Sequence, residues 1–489
     1  SIGEMAELIG GALVDLSVVP LKQAGLSSWE ILVSESQERM TVGVDPKDCE
    51  EFEKLANLHE VEATAVGTFT DSGGFHIKHG ERTVALLPIE FLHDGVPQLN
   101  LESEWTPPQH EEPTYPEVNP QEMGEILSRL LARPNIASKE WWVRSYDHEV
   151  IAQSVIKPFC GVNHDAPGDA AVIAPIHGET QGAVISCGII PRYSDIDTYA
   201  MVAGCIDEAV RNAVCVGVDL DRMAGLDNFC WPDSIESKKT PDGRYKLAQL
   251  VRANRALDEI CRIYQLPCIS GKDSMKNDAI LDGKKISVPP TLLFTLMGNH
   301  EDVTKAVSSD FKESGDLIYL LGETHQELGA SELVSMMQDE SGGGIGGKVP
   351  QIDAQRNLAM YRSLTSAMRD KLVASAHDCS DGGLASAFAE ACFGADVGAF
   401  IDISGISSSD ELDQWGALFG ESLGRILVSV KPDNSENFEE SMAGHKFTQL
   451  GVVGTTDEIQ ISNGNDVLLE ASMSALKDSW QSTLNGGSQ

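Results

Sequence analysis

The sequence is poor in positive charge: 36 Lys and Arg stand against 75 Asp and Glu, for a net charge of −39. Such a surface repels nucleic acid and anionic membranes, so neither is expected as a partner. Aromatic residues make up only 6% of the chain. No apolar run approaches 18 residues, and no basic-then-apolar leader opens the chain, which excludes the usual marks of a spanning helix or secretory signal. The ten Cys are scattered singly, without a C-x-x-C pair, and His is not clustered at zinc spacing. Reduced thiols and a cytoplasmic setting are therefore expected, rather than a disulfide frame or zinc site. The chain also opens on Ser1 without Met, and is expected to be a processed product or part of something longer.

What is present is enough for about three domains, with an apolar content of 42% suited to ordinary cores. Residues 1–105 alternate short strand-like runs (Glu30–Val33, Met40–Val44, Glu62–Thr68, Thr83–Leu87) with a helix-like Pro46–His59. Trp105–Gln121 holds five Pro and reads as a linker. Beyond it, helices are predicted at Glu122–Ala132, Tyr199–Val216 and Tyr245–Tyr264, and strands at Ala170–Ile176, Gly182–Ile190 and Thr291–Met297. The last third brings a strand at Leu317–Leu321, helices at Ala354–Asp370 and Leu384–Phe393, and a tail, Ser474–Gln489, with little structural signal. The domains expected are 1–105, a linker 106–120, 121–300, 301–475 and a tail 476–489.

An internal repeat organises these parts. Ser34–Val44, SESQERMTVGV, matches Gly420–Val430, GESLGRILVSV, and about 26 residues later V-G-T at Val66–Thr68 matches V-G-T at Val453–Thr455. The first and last thirds thus read as copies of one domain type flanking a single copy of another. The whole looks like the ending of a two-module chain whose opening domain is absent.

Several stretches carry chemistry. Pro267–Asp278, PCISGKDSMKND, reads as a phosphate loop: Gly271 permits close backbone approach, Lys272 supplies charge, Asp273 can hold a metal, and Ser270 and Ser274 donate hydroxyls. Asp169, after Pro167-Gly168, is a carboxylate at a strand edge, or a turn Asp bonding its own backbone. Glu208 and Asn212 lie one helical turn apart and suit a hard cation, or form a solvated face. Asp207 and Arg211, on the neighbouring stripe, suit the surface. In Ala376–Leu384, AHDCSDGGL, Asp378 and Asp381 flank Ser380 before a helix start whose N–H groups suit an anion, or which Asp381 or Ser380 caps. Ser341–Lys348, SGGGIGGK, has Walker-like spacing, but Val349 stands where Ser or Thr must bind metal, so a surface loop is expected.

Taken in order, PLKQAGLSSWEILVSESQERM (Pro20–Met40), FLHDGVP (Phe91–Pro97), ASKEWWVRSYDHEV (Ala137–Val150), APGDAAVI (Ala166–Ile173), SGKDSMKN (Ser270–Asn277) and HDCSDGGLASAFAE (His377–Glu390) resemble the phosphoribosylformylglycinamidine synthase family, within the aminoimidazole ribonucleotide synthetase superfamily. The resemblance implies pseudo-symmetric modules, each an α/β N-type domain followed by an α+β C-type domain, here one N-type and C-type pair preceded by an extra C-type domain. It places Asp169, Glu208, Asn212 and Asp378 on Mg²⁺ ligands, and Asp227, Gly271, Lys272 and Ser380 on nucleotide contacts. It places Glu35, Ser36, Gln37 and Ser274 on substrate contacts. Shorter relatives have Asn where this chain has Lys272, which leaves open whether Lys272 touches phosphate. Gly271 and Ser274 would form one wall of a site whose metal ligands are the four residues above.

The implied activity is ATP-dependent amidation of formylglycinamide ribonucleotide in purine biosynthesis. Its implied cofactors are Mg²⁺ and ATP or ADP, and its partners a missing N-terminal half-module and a glutaminase supplying ammonia. No stretch matches the family's catalytic His domain, so no catalytic residue is assigned and this chain alone is expected to bind Mg-nucleotide without turnover. The alternatives are a non-catalytic ATP-binding scaffold subunit, or another ATP-dependent synthase or kinase of the superfamily.

Overall fold

Small and branched apolar residues alternating with polar ones set the first strands, and a computed structural model shows how they assemble. It describes residues 1–36, 39–342, 344–408 and 411–484, and the chain divides into two units, Ser1–Leu101 and Glu102–Gln489.

In the first unit, helix α1 (Ile2–Ile9) is followed by β1 (Ala12–Asp15), helix α2 (Cys49–Leu58), β2 (Gly67–Phe69) and the hairpin β3 (Gly74–His79) and β4 (Arg82–Pro88). The sheet order is β2-β1-β3-β4. Ala6, Val14, Leu16, Ile31, Phe75 and Ile77 make its small core. The strand expected at Glu30–Val33 is instead a helical turn, Ser28–Leu32. Ser27 and Glu30 decide this, because the Glu30 carboxylate accepts the Ser27 N–H at 2.7 Å in a capping box that stabilises a helix start. Met40–Val44 forms no strand, and of Glu62–Thr68 only Gly67 and Thr68 join one.

The second unit begins with the Pro-rich stretch, extended up to helix α3 (Pro120–Leu131), which Asn119 caps. A six-stranded sheet follows, built from β5 (Ser154–Ile156), β6 (Ala171–Ile173), β7 (Gly182–Gly188), β8 (Asp219–Cys230), β9 (Cys268–Ser274) and β10 (Thr291–His300) in the order β9-β8-β10-β7-β6-β5. Helices α4 (Thr198–Cys215) and α5 (Gly243–Tyr264) pack with it. α4 is buried almost all round, which its run of Ala, Gly, Cys and Val permits because small side chains allow close approach.

A second, seven-stranded sheet holds β11 (Leu317–Leu321), β12 (Ser375–Asp378), β13 (Ala399–Asp402), β14 (Ile426–Val430), β15 (Phe447–Val453), β16 (Glu458–Asn463) and β17 (Asp466–Ser472), in the order β12-β14-β11-β15-β13-β16-β17. With it come helices α6 (Glu332–Ser341), α7 (Ala354–Arg369), α8 (Gly383–Phe393) and α9 (Met473–Ser482). Tyr319, Leu321 and Val428 enter one core with α4 and α7, while Ile318, Leu320 and Leu427 enter another with α3, α8 and α9. Both faces are covered, which is why β11 reads as an unbroken apolar run and β14 as one interrupted by Ser429 alone. The expected structureless tail, Ser474–Gln489, is wrong from Ser474 to Ser482. There α9 buries Met473, Leu476 and Trp480, and the Trp480 indole N–H donates to the Ile136 carbonyl at 2.9 Å.

The repeat is confirmed in topology and extends further than Ser34–Val44. β2-β1-β3-β4 and β15-β13-β16-β17 share the same sequence of antiparallel, parallel and antiparallel pairings. Asp15 accepts the N–H of Ser17 at 2.9 Å and of Gly80 at 3.0 Å. Asp402 accepts those of Ser404 at 2.9 Å and Gly464 at 2.8 Å. One carboxylate in each copy thus ties the end of a strand to the turn of the neighbouring hairpin.

Candidate functional site

α4 lies between the two sheets, and the acidic residues gather where it meets the end of β12. Glu208 projects from α4, Asp169 comes from the turn before β6, Asp378 ends β12 and Asp381 sits in the turn before α8. Burial first, then Asp381 and Asp378, hold Glu208 well above the ordinary carboxylate range. Burial and the neighbouring Glu332, Asp378 and Glu390 push Asp381 up to about 7. Asp378 is also raised by burial, with Arg211 opposing and Asp169 adding to the rise. Carboxylates kept apart from water and near one another in this way hold protons until a cation neutralises them.

The four expected ligands take different positions in this cluster. Asp169 Oδ1 accepts from His377 Nδ1 at 2.7 Å, and its Oδ2 is buried without a hydrogen-bond partner. His377 also reaches Glu390 at 3.2 Å. Burial works against the imidazolium, yet the Asp169 and Glu390 carboxylates overcome it and push His377 well above its ordinary pKa. Glu208 accepts the Ile189 N–H at 2.8 Å, and the Asn212 amide donates to the Cys187 carbonyl at 3.1 Å. Asp378 pairs with Arg211. Among the described residues, no three His, Cys, Asp or Glu side chains converge as a closed metal-binding group. The donors of the four residues are nonetheless all hard oxygens, and the orphaned Asp169 oxygen fits a hard cation such as Mg²⁺.

Asp207 and Arg211 are the clearest correction to the sequence reading. Both are fully buried. Arg211 bridges Asp207 and Asp378, and Asp207 also accepts from the Tyr264 hydroxyl at 2.5 Å, the Tyr361 hydroxyl at 2.9 Å and the Asn357 amide at 3.2 Å. A helix with both faces covered has no solvated stripe, so the i, i+4 ion pair became an internal strut. It fixes Asp378 against α4.

The start of α8 also differs from expectation. Gly382, rather than Ser380 or Asp381, is the N-cap. Its N–H donates to Glu421 Oε1 at 2.9 Å, and the Gly383 N–H donates to the Ser380 carbonyl at 2.9 Å. The Glu421 carboxyl, which also accepts the Glu332 N–H at 2.9 Å and the Tyr193 hydroxyl at 3.3 Å, is thus the acceptor at this helix end, and burial and Asp381 hold its pKa well above the ordinary carboxylate range. Glu421, Glu332 and Tyr193 went unassigned in the sequence. The signal for Glu421 was there, because it is the repeat counterpart of Glu35.

The candidate phosphate loop is a strand. Cys268–Ser274 is β9, the edge of the six-stranded sheet, pairing parallel to β8 with Asp227 opposite Gly271, Asn228 opposite Lys272 and Cys230 opposite Ser274. The glycine has a reason: a Cβ at 271 would stand 2.9 Å from both Asp227 carboxylate oxygens. Burial raises the Asp227 pKa, with Asp273 adding to it. β8 and β10 separate β9 from β7, where Asn212 and Glu208 dock, a gap of roughly 14 Å along the sheet at strand spacing. Asp227, Gly271, Lys272 and Ser274 therefore form a second group, and the expected wall beside the acidic cluster is not formed by this sheet.

In the first unit Glu35 and Ser36 are exposed, and Gln37 lies outside the described residues. The backbone at Ser34 and Ser36 is held as in its counterpart. Arg39 donates through Nη2 to the Ser34 carbonyl at 2.6 Å and through Nε to the Ser36 carbonyl at 3.1 Å. Arg425 does the same to Gly420 at 2.5 Å and Ser422 at 3.0 Å. SGGGIGGK is not a free surface loop, since the Gly346 N–H donates to the Glu111 carbonyl at 3.0 Å and a Cβ at 346 would lie 2.2 Å from that oxygen.

Comparison with known proteins agrees with this architecture. The family model for the C-terminal domain of AIR synthase related proteins matches residues 1–80 and 313–462, covering both copies of the repeat. The PurL subunit of phosphoribosylformylglycinamidine synthase from Alkaliphilus metalliredigens is 32% identical over 486 residues, 97% of this chain and 61% of the relative. This chain therefore spans about three fifths of that relative's length. A solved structure of Thermotoga maritima PurL complexed with ADP superposes with a TM-score of 0.55 at 19% identity, over 93% of this chain and 62% of that one. T. maritima PurLQS gives 0.54 at 19% identity, over 92% and 60%. By sequence and by fold, this chain is a relative of phosphoribosylformylglycinamidine synthase, built from domains of the AIR synthase related type.

Proposed function

We propose that the chain is part of a phosphoribosylformylglycinamidine synthase, an ATP-dependent C–N ligase of purine biosynthesis, and that by itself it binds Mg-nucleotide without turnover. The observation that carries the binding site is the buried Asp169 oxygen without a partner, in the acidic cluster with Glu208, whose proton affinity burial, Asp381 and Asp378 raise, and Asp378, whose proton affinity burial and Asp169 raise. Asp169, Glu208, Asn212 and Asp378 would hold Mg²⁺, which when bound neutralises nucleotide phosphate charge. His377 orients Asp169, Arg211 holds Asp378 against α4, and Ser380 lies beside them to meet the nucleotide. Asp227, Gly271 and Lys272 on β8 and β9 would serve a separate nucleotide contact, and Glu35, Ser36, Gln37 and Ser274 the ribonucleotide substrate.

A missing half-module and a glutaminase supplying ammonia would complete the reaction, in the cytoplasm. The ten cysteines, all free, suit that setting. The reading is tested by calorimetric titration of the chain with Mg-ADP. Binding should weaken at least about tenfold in Glu208→Gln and Asp169→Asn, with the circular dichroism spectrum unchanged. Absence of heat, or ammonia-dependent amidine formation by the chain alone, overturns it.

A further inference from the structure

Two thiols outside the acidic cluster lie together where α5 gives way to β9. Cys261, in the last turn of α5, is buried, and Cys268, the first residue of β9, is exposed. Their sulfurs are 3.9 Å apart. Gln265 makes this possible by taking a left-handed conformation (φ 55°, ψ 39°) that caps the helix and turns the chain back on itself. A cavity of about 570 Å³, lined by Asn254, Leu257, Arg262, Gln265 and both cysteines, opens on the pair. Burial and the nearby Asp227 carboxylate raise the Cys268 thiol pKa, with Cys261 opposing. Cys187 is the other exposed cysteine, while Cys205, Cys215, Cys379 and Cys392 are buried.

We propose that Cys261 and Cys268 are a peroxide-oxidisable dithiol, a modification site that closes to a disulfide joining the end of α5 to the edge strand β9. The exposed Cys268 sulfur attacks one oxygen of hydrogen peroxide. The O–O bond breaks, and Cys268 becomes a sulfenic acid with release of water. The Cys261 sulfur then attacks Cys268 and displaces hydroxide, which takes the Cys261 proton and leaves as a second water. Two thiols are oxidised by two electrons and one peroxide is reduced to two waters. Reaching the bonded separation of about 2.05 Å from 3.9 Å takes a side-chain rotation at the exposed partner. Burial raises both thiol pKa values, so the reaction runs faster as pH rises above neutrality.

The test treats the full chain with a small excess of hydrogen peroxide, alkylates the remaining thiols, digests with trypsin and weighs the peptides. Cleavage at Arg262 separates the two cysteines. Oxidation should join ALDEICR to IYQLPCISGK, leave two of the ten thiols unalkylated, and be reversed by dithiothreitol. In Cys261→Ser the Cys268 sulfenic acid should instead persist and be trapped by dimedone at least about tenfold more than in the unaltered chain. Oxidation of Cys268 to sulfinic acid in the unaltered chain without a bond to Cys261, or oxidation of Cys187 while the pair stays reduced, overturns the proposal.

Discussion

Replacing Asp207 by Ala should unfold the second unit far more easily than its distance from any solvent-exposed face suggests. The substitution leaves the Arg211 guanidinium buried with Asp378 as its only carboxylate partner, and deprives Tyr264, Tyr361 and Asn357 of their shared acceptor. Breaking a buried ion pair on one side costs about 3–5 kcal/mol, and stranded donors add to this where water does not reach them. We take about 4 kcal/mol. At roughly 2.1 cal/mol/K of unfolding entropy per residue, a unit of about 390 residues gives close to 0.8 kcal/mol/K, so the melting temperature should fall by about 5 °C. The decisive measurement is a cycle with Tyr361→Phe, read by differential scanning calorimetry. In the unaltered chain Tyr361→Phe should cost about 1 kcal/mol, and in the Asp207→Ala background almost nothing, because the acceptor is already gone. A shift under about 1 °C for Asp207→Ala, or equal cost of Tyr361→Phe in both backgrounds, would refute the reasoning.

Other expectations follow from the same contacts. Arg425→Lys should lower stability by about 2–3 kcal/mol in thermal melts, because lysine lacks the fork that reaches the Gly420 and Ser422 carbonyls, whereas Arg39→Lys, at the exposed counterpart, should cost under about 1 kcal/mol. Hydrogen bonds from Ser17 and Gly80 lower the Asp15 pKa from 3.8 to about 2, and those from Gly464 and Ser404 lower that of Asp402. A depressed carboxylate stabilises the fold above its unfolded pKa and loses that contribution as pH falls through the folded value. Amide exchange at Ser17 and Gly80 should therefore quicken as pH drops from about 4 to about 2, once the intrinsic pH dependence is removed, and Asp15→Asn should abolish that step. Gly346→Ala drives a Cβ against the Glu111 carbonyl and should speed proteolytic cutting of the segment near Glu111, at a cost of about 1–3 kcal/mol.

The long periodic elements were legible in the sequence because one covered face imposes a period. Tyr199–Val216 and Tyr245–Tyr264 were placed within two residues of α4 and α5, and Leu317–Leu321 matched β11. Short elements were less legible. Glu30–Val33 has the apolar content of a strand, and only the reciprocal Ser27–Glu30 capping makes it helical. The tail looked featureless because the buried positions of α9, Met473, Leu476, Lys477 and Trp480, are spread among polar residues, and what Trp480 meets lies some 340 residues earlier at Ile136.

By itself, the sequence determined the domain type, the repeat and the acidic residues, since these are written in residue identity and spacing along the chain. The tertiary structure alone decided what each acidic residue does. Asp207 and Glu208 are adjacent on one helix, yet the first is an internal strut and the second a candidate ligand, because residues of α5 and α7 close over Asp207 while Glu208 stays only part-buried. It also turned SGKDS from a loop into an edge strand, since pairing with β8 supplies the backbone partners that a local reading cannot see.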